Sequence, residues 1–475
     1  MQRDIIFGTS GWRGLLADDF TFGNVRIVTR AIADHLLAQG TADGGVIVGC
    51  DARFLGKNFV AAAAQILAAA GIKAFVCDRD TPTPVIAHEI IRRGCSGAIN
   101  FTASHNPYEY NGLKFSPASG GPALPATTAD IERRANEMSV VDDVDQMTVE
   151  QARTQGLYEE IDPRPAYVES IRKLVNFDAI LSSGLIFAIN PLYGTAIGYL
   201  DKLLGDAGVT VMTINDHRDP YFGGYPPEPA QANIAQFIDL IRNDSRLSLG
   251  LATDGDADRY GIVDSDGTYI EPNYILALLA DYMLRSGRRG DLARSVATSH
   301  LLDRVAAYHG VNILETPVGF KFIGEYIAAG KILIGGEESA GLTISGHVPD
   351  KDGILACLLV AEMVAVEQKT IAELLTDLYR RVGEVHTRRI NLRLTPELET
   401  AFAEKMSLPP DEFGGKKVCE TNTLDGYKFI LDDGSWLLFR KSGTEPVVRL
   451  YGEANCEEHL QTIIDAGQSF VLGLP

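Results

Sequence analysis

The chain has 475 residues, 45% hydrophobic and 22% charged, with 63 acidic and 43 basic side chains and a formal net charge of −20. That length exceeds one hydrophobic core and points to about three or four domains. The negative balance argues against a nucleic-acid partner, and no apolar run reaches the roughly 20 residues that cross a membrane.

No charged-then-apolar leader opens the chain. The six cysteines (Cys50, Cys77, Cys95, Cys357, Cys419, Cys456) form no C-x-x-C pair and read as reduced thiols. A cytoplasmic protein is expected. If its substrates are phosphorylated, a few focused cationic sites must capture them against the overall field.

Three stretches repeat a strand–helix–strand grammar. The first has strands at Val46–Cys50, Ala74–Cys77 and Gly97–Phe101, with helices over Asn58–Ala70 and Pro84–Arg93. The second has strands at Leu185–Ile189, Val209–Ile214 and Leu247–Ala252, with helices over Gly194–Gly208 and Asn233–Arg242. The third opens with a hairpin around Ser265–Gly267 and the helix Pro272–Arg285, then strands at Val296–Thr298, Asn312–Leu314 and Ile332–Ile334, and ends on the helix Asp352–Val366. Beyond Val385 the grammar changes. Strands at His386–Leu394, Gly426–Leu431, Ser435–Phe439 and Val447–Tyr451, flanked by two helices, read as an antiparallel α+β unit. The expected units are 1–155, 156–262, 263–385 and 386–475.

Ligands of open α/β sheets bind beyond the carboxyl ends of strands, and each unit has one unusual polar loop near such a point. After Gly97–Phe101 comes Thr102-Ala103-Ser104-His105-Asn106-Pro107. Ser104 can be a nucleophile, a phosphate carrier or a plain turn residue, and Ser-His beside Asn-Pro is ordinary turn chemistry. Lys114 follows a second polar turn and can return to the serine. No nearby aspartate orders His105 into a hydrolytic triad.

After Leu247–Ala252 comes Thr253-Asp254-Gly255-Asp256-Ala257-Asp258-Arg259. Carboxylates at alternate positions of an extended turn face one side and repel without a cation. Oxygen-only donors suit Mg²⁺ or Ca²⁺. A calcium EF-hand fails here, because Arg259 occupies its glycine position, Ser265 its bidentate glutamate position, and a strand precedes the loop.

The third loop, Gly335-Gly336-Glu337-Glu338-Ser339-Ala340-Gly341, has glycines that allow close approach of a ligand. Glu337 and Ser339 can share one side toward sugar hydroxyls, with Glu338 facing away; a plain acidic surface turn reads equally well. The fourth, Arg440-Lys441-Ser442-Gly443-Thr444-Glu445-Pro446, offers a guanidinium, hydroxyls and free amides, a cradle for a phosphate dianion to which Arg449 adds a second guanidinium. His300, at the end of a strand, is read as a structural histidine.

Taken together with Gly8-Thr9-Ser10-Gly11-Trp12-Arg13-Gly14, these loops make the whole chain resemble the α-D-phosphohexomutase superfamily, nearest its phosphoglucomutase/phosphomannomutase members. The resemblance implies three related α/β domains with mixed, mainly parallel sheets plus a C-terminal α+β domain, around a central cleft. It implies interconversion of hexose 1-phosphate and hexose 6-phosphate through a phosphoserine and a bisphosphorylated sugar. Ser104 becomes the phosphoserine; Asp254, Asp256 and Asp258, with the seryl phosphate on Ser104, bind Mg²⁺. Arg13, His105, Lys114 and Arg259 surround the reacting group, with Lys114 or His105 as general base. Lys321, Glu337 and Ser339 contact the sugar, while Arg440, Ser442, Gly443, Thr444 and Arg449 hold the other phosphate. Glucose 1,6-bisphosphate is the implied activator and intermediate.

Two positions depart from the family pattern, Ala340 where glycine is common and Lys441 where proline is frequent. Rival readings are a phosphoglucosamine mutase, a glucose-1,6-bisphosphate synthase and a non-catalytic sugar-phosphate binder. A monomer or a homodimer is expected, with no nucleic-acid or membrane partner.

Overall fold

The computed structural model describes residues 4–8, 11–138, 144–407, 410–441 and 447–473. Four sheets follow one another along the chain. The first orders its strands as Phe7–Gly8, Gly11–Leu15, Tyr110–Pro117, Gly97–Phe101, Val46–Cys50, Ala74–Cys77 and Tyr158–Ile161. Its last four run parallel, whereas Tyr110–Pro117 turns back antiparallel to Gly97–Phe101. The second sheet sets Leu247–Thr253 parallel to Ile186–Asn190 and antiparallel to Tyr260–Asp264. In the third, Ile332–Glu337 is parallel to Asp291–Ser295 and antiparallel to Gly341–Ile344.

The three sheets thus share one local plan. A buried strand beside a parallel neighbour ends in a polar loop, and the chain returns as an antiparallel strand. One non-glycine residue in each loop takes the left-handed conformation, namely Ser104 (φ 52°), Ala257 (φ 58°) and Ala340 (φ 66°). Such backbone costs about 1–2 kcal/mol outside glycine and persists where surroundings enforce it.

Several expectations shift. The hairpin around Ser265–Gly267 belongs to the second sheet, because Tyr260–Asp264 pairs with both Leu247–Thr253 and Tyr269–Ile270. The first sheet extends past residue 155 to take in Tyr158–Ile161, parallel to Ala74–Cys77. The strand expected at Val296–Thr298 lies at Asp291–Ser295, and the helix expected over Gly194–Gly208 is shortened to Leu200–Asp206. Gly335 and Gly336 lie within a strand. A Cβ on Gly335 would strike Ile323 and one on Gly336 would strike Leu276, so this pair serves helix packing and not ligand approach.

The cores divide differently from the sheets. One continuous apolar cluster joins the second and third units, from Tyr167 to Val385, and takes in Val85 of the first. At its centre lies the helix Gly353–Glu367, buried from Gly353 through Ala365. A helix apolar on every side is a core helix or a membrane span. Here it is core, and its buried Glu362 accepts from Tyr282 Oη (2.8 Å) and the Asn176 amide (2.7 Å). No helix among the described residues is long and apolar enough to cross a membrane.

The fourth sheet is antiparallel throughout and has its own core, built on Phe429, Leu437, Phe439, Val448 and Leu450 with the helix Glu457–Leu472. Strand alternation sends the other set of side chains to the opposite face. The register pairs Trp436 with Glu453, Leu438 with Tyr451 and Arg440 with Arg449. Trp436, Leu438 and Tyr451 pack on Val296 and Ala297 of the third unit.

Candidate active site

The backbone of Ser104 is held on both sides. Its amide donates to Thr102 Oγ1 (2.8 Å), and its carbonyl accepts from Arg53 Nη2 (2.7 Å). Arg53, fully buried, also donates to the carbonyls of Asn106 (2.6 Å), Pro107 (2.7 Å) and Tyr110 (2.9 Å), and its Nε reaches Asp51 Oδ2 at 3.1 Å. Asp51 in turn accepts from Thr102 Oγ1 at 2.6 Å. One guanidinium therefore satisfies four loop carbonyls, which buried backbone requires. Burial lifts Asp51 to about 6 despite Arg53 and Thr102.

The hydroxyl of Ser104 donates to Asp254 Oδ2 at 3.1 Å, and His105 Nδ1 lies 3.4 Å from the Ser104 hydroxyl. The first two polar loops thus meet. A Cβ on Gly255 would stand 3.2 Å from the Ser104 carbonyl, so glycine permits this approach. Asp254, Asp256 and Asp258 are all buried and each contributes an oxygen within 4.8 Å of the others. Asp254 Oδ1 accepts from the Arg259 amide (3.0 Å), and Asp256 Oδ2 from Thr83 Oγ1 (2.6 Å) and Lys114 Nζ (2.6 Å). Asp258 Oδ2 lies 3.1 Å from both Lys114 Nζ and Lys351 Nζ.

Asp256 Oδ1 and Asp258 Oδ1 are buried with no hydrogen-bond partner. Burial and its two neighbours push Asp254 well above the carboxylate range. Burial acts on Asp258 in the same sense, but Lys114, Lys351 and Arg259 hold it below that range. Partnerless oxygens on mutually repelling carboxylates are the donor set of a hard divalent cation, which removes the repulsion. The three aspartates fit a metal.

The cations around them come from every side. Arg13, on Gly11–Leu15, donates from Nη1 to Asn106 Oδ1 at 2.6 Å. Arg259 lies 3.7 Å from Glu228 and 3.9 Å from Asp258. Burial lowers both Lys114 and Lys351, yet the aspartates outweigh it and keep both raised. Burial, then Arg259 and Arg13, pull His105 down to about 2, so its imidazole is neutral. The third unit closes this shell. Gly341 leaves room for the Lys351 stem, and Gly353 lies so close to the Arg259 carbonyl that a Cβ would collide with it.

Glu337 ends its strand buried and accepts from the Gly319 amide at 2.7 Å. Burial, and then Glu338, lift its carboxyl to about 7. Glu338 lies instead against Ser295 Oγ (3.2 Å) and Thr298 Oγ1 (3.5 Å). Ser339 is half-buried in the turn that follows, and Lys321 is half-buried in the first turn of the helix Phe320–Ala328, where burial lowers it against the pull of Glu337. Arg440 and Arg449 are cross-strand neighbours, and Arg440 Nε donates to Asp425 Oδ2 at 2.9 Å. Ser442, Gly443 and Thr444 lie outside the described residues.

The succession of four units also appears in known proteins. The phosphoglucomutase/phosphomannomutase domains match in order: alpha/beta/alpha domain I over residues 4–141, domain II over 165–267, domain III over 271–382 and the C-terminal domain over 390–466. The chain belongs to the α-D-phosphohexomutase superfamily. A phosphoglucomutase of Komagataeibacter xylinus is 30% identical, covering 99% of this chain and 91% of that protein. A phosphoglucomutase/phosphomannomutase of Thermococcus kodakarensis is 30% identical over 97% of each. A probable phosphoglucosamine mutase of Methanothermobacter thermautotrophicus is 29% identical over 99% and 98%. Among solved structures, a Thermus thermophilus protein superposes with a TM-score of 0.87 at 32% identity over 100% of both chains. The open form of parafusin, a Paramecium phosphoglucomutase, gives 0.82 at 25% identity over 99% and 96%.

Four residues of this phosphohexomutase site escaped the sequence reading: Asp51, Arg53, Thr83 and Lys351. Asp51 and Arg53 follow the buried strand Val46–Cys50, so the strand-end rule that found the other loops also reaches them. Lys351 sits in Asp350-Lys351-Asp352, a charged run immediately before the most apolar helix of the chain. Thr83 carried no signal. His300 contacts no residue of the serine or aspartate loops; it meets Lys428 Nζ at 2.7 Å, and its ring lies 5.5 Å from that of Trp436.

Proposed function

We infer that this phosphohexomutase interconverts hexose 1-phosphate and hexose 6-phosphate, with Ser104 carrying the phosphoryl group. The observation that supports this most is the contact of Ser104 Oγ with Asp254 inside a shell of matched charge. Three buried aspartates face Lys114, Lys351 and Arg259. A seryl phosphate dianion together with a divalent cation adds no net charge to this shell. The all-oxygen donor set, with positions left for phosphate oxygens, favours Mg²⁺. Asp254, Asp256 and Asp258 would hold it, and when bound it supplies charge neutralisation at the phosphoryl oxygens.

Phosphoryl transfer depends mainly on positioning and charge neutralisation. Arg53 fixes the loop that presents Ser104, while Arg13, Lys114 and Arg259 face the reacting phosphoryl group. The attacking sugar hydroxyl forms a bond to phosphorus as the bond to Ser104 Oγ breaks, and the hydroxyl proton passes to the neutral His105 imidazole, Lys114 being held as an ammonium by the aspartates. Glu337, Ser339 and Lys321 grip the sugar; Arg440, Arg449, Ser442, Gly443 and Thr444 seat the phosphate at rest. The resulting glucose 1,6-bisphosphate then turns end for end and returns its other phosphoryl group to Ser104. Each of the four units thereby supplies one part of a single site.

Glucose is the expected sugar, because a grip on neighbouring hydroxyls away from C2 accepts glucose and admits mannose. The match to a probable phosphoglucosamine mutase keeps the amino sugar as the second reading. Ser104→Ala should abolish glucose 6-phosphate formation from glucose 1-phosphate in a coupled assay while sugar-phosphate binding survives. Wild-type protein incubated with glucose 1,6-bisphosphate should gain the mass of one phosphoryl group. Near-normal turnover by the alanine variant would sink the reading, and kcat/KM for glucose, mannose and glucosamine 1-phosphates ranks the sugars.

A further inference from the structure

Asp425 lies in the turn between Lys416–Asn422 and Tyr427–Leu431, apart from all four polar loops. A single oxygen, Oδ2, accepts both from Arg440 Nε (2.9 Å) and from the Val318 amide of the third unit (3.0 Å). The turn reaches Arg440 because Gly426 (φ 98°) lies against the Phe439 carbonyl, where a Cβ would collide. Among the described residues, the two terminal nitrogens of Arg440 make no hydrogen bond. A carboxylate on Nε fixes the plane of a guanidinium and leaves its terminal fork free, as bidentate phosphate recognition requires.

The second arm of Asp425 leads to the sugar grip. Val318 and Gly319 are consecutive; Asp425 accepts from the first amide, and Glu337 Oε1 from the second at 2.7 Å. Two residues later Lys321 stands in the helix that this turn starts. Resting on the assignment of Arg440 to the phosphate that is not transferred, we propose that Asp425 is a positioning residue that holds this guanidinium and the Val318–Lys321 turn in one hydrogen-bonded unit. It sets the spacing between the phosphate seat and the sugar grip, and so governs retention of the bisphosphate.

The test uses calorimetric binding of glucose 1,6-bisphosphate to full-length protein carrying Ser104→Ala, which reads affinity without turnover. Asp425→Asn keeps an acceptor for the Val318 amide and removes the negative charge that pairs with Arg440, so affinity should fall about tenfold. Added to Arg440→Ala, the same substitution should change affinity less than about twofold, since it acts through the missing guanidinium. In protein with Ser104 intact, it should raise KM for glucose 1-phosphate about tenfold, leave kcat within about twofold, and increase the bisphosphate found free per turnover. Unchanged affinity in Asp425→Asn, or full additivity with Arg440→Ala, would overturn the proposal. Loss of mutase turnover in wild-type protein with bisphosphate binding intact would instead refute the functional reading and leave the binding test decisive for Asp425.

Discussion

The two ends of the site are built on different principles. Around Ser104 three units converge, the second and third share one core, and buried ions are matched and hydrogen-bonded across unit boundaries. Around Arg440 the fourth unit has its own core and meets the third through one small apolar cluster and a set of polar groups. Lys428 there is fully buried and donates to the Val296 carbonyl (2.8 Å), while Glu453 accepts from Ser299 Oγ and from the His300 amide. A large shared core excludes water and holds one geometry, whereas a small mixed seam between separate cores can part and reform at lower cost. Phosphoryl transfer needs the first property. A bisphosphate that turns over within the site is served by the second.

The sharpest way to break this contrast is at Arg53. Arg53→Lys replaces a fork that holds four carbonyls with a single ammonium, stranding buried acceptors at about 1–3 kcal/mol each. Turnover should fall about a hundredfold with KM changed far less, and slower phosphorylation of Ser104, followed by mass, checks it. An equal fall in affinity would show that the serine end is no more preorganised than the phosphate end.

At the seam with the fourth unit the readout is pH. Burial, then Arg294, pull Lys428 down to about 7, so between about pH 7 and the free lysine value near 10.4 the unfolded chain binds the extra proton. Stability should therefore rise with pH across that window, at most about 1.4 kcal/mol per pH unit from this group. Lys428→Met should remove that component, as denaturant unfolding at pH 7 and pH 9.5 would show. An identical pH slope in the variant would mean that the seam does not strain this lysine.

The smallest expected effect lies between the two ends. Glu337, raised to about 7 chiefly by burial, gains its charge as pH rises from 6 to 8. The carboxylate accepts sugar hydroxyls better than the acid does, so KM for hexose phosphate should fall about threefold over that range. Glu337→Gln should flatten the profile.

Much of this molecule is local and therefore legible in its sequence. Strand-end loops, alternate aspartates and a serine on a turn are short patterns whose chemistry follows from spacing alone, and the Gly97–Phe101 and Leu247–Ala252 strands lie where their apolar runs place them. The Gly335-Gly336 pair misled because a glycine between helices and a glycine beside a ligand look alike in one dimension. Arg53 and Lys351 were overlooked because their meaning depends on which carbonyls and carboxylates lie opposite, 51 and 93 residues away in sequence. By itself the sequence determined the succession of four units, the metal-type aspartates and the serine proposed as phosphate carrier, since each rests on adjacent residues. Only the tertiary structure decided which cations balance those aspartates, how two units merge into one core, and why Asp425 touches both Arg440 and the Val318–Lys321 turn. Charge balance and close packing are properties of neighbours in space, and the chain order does not record them.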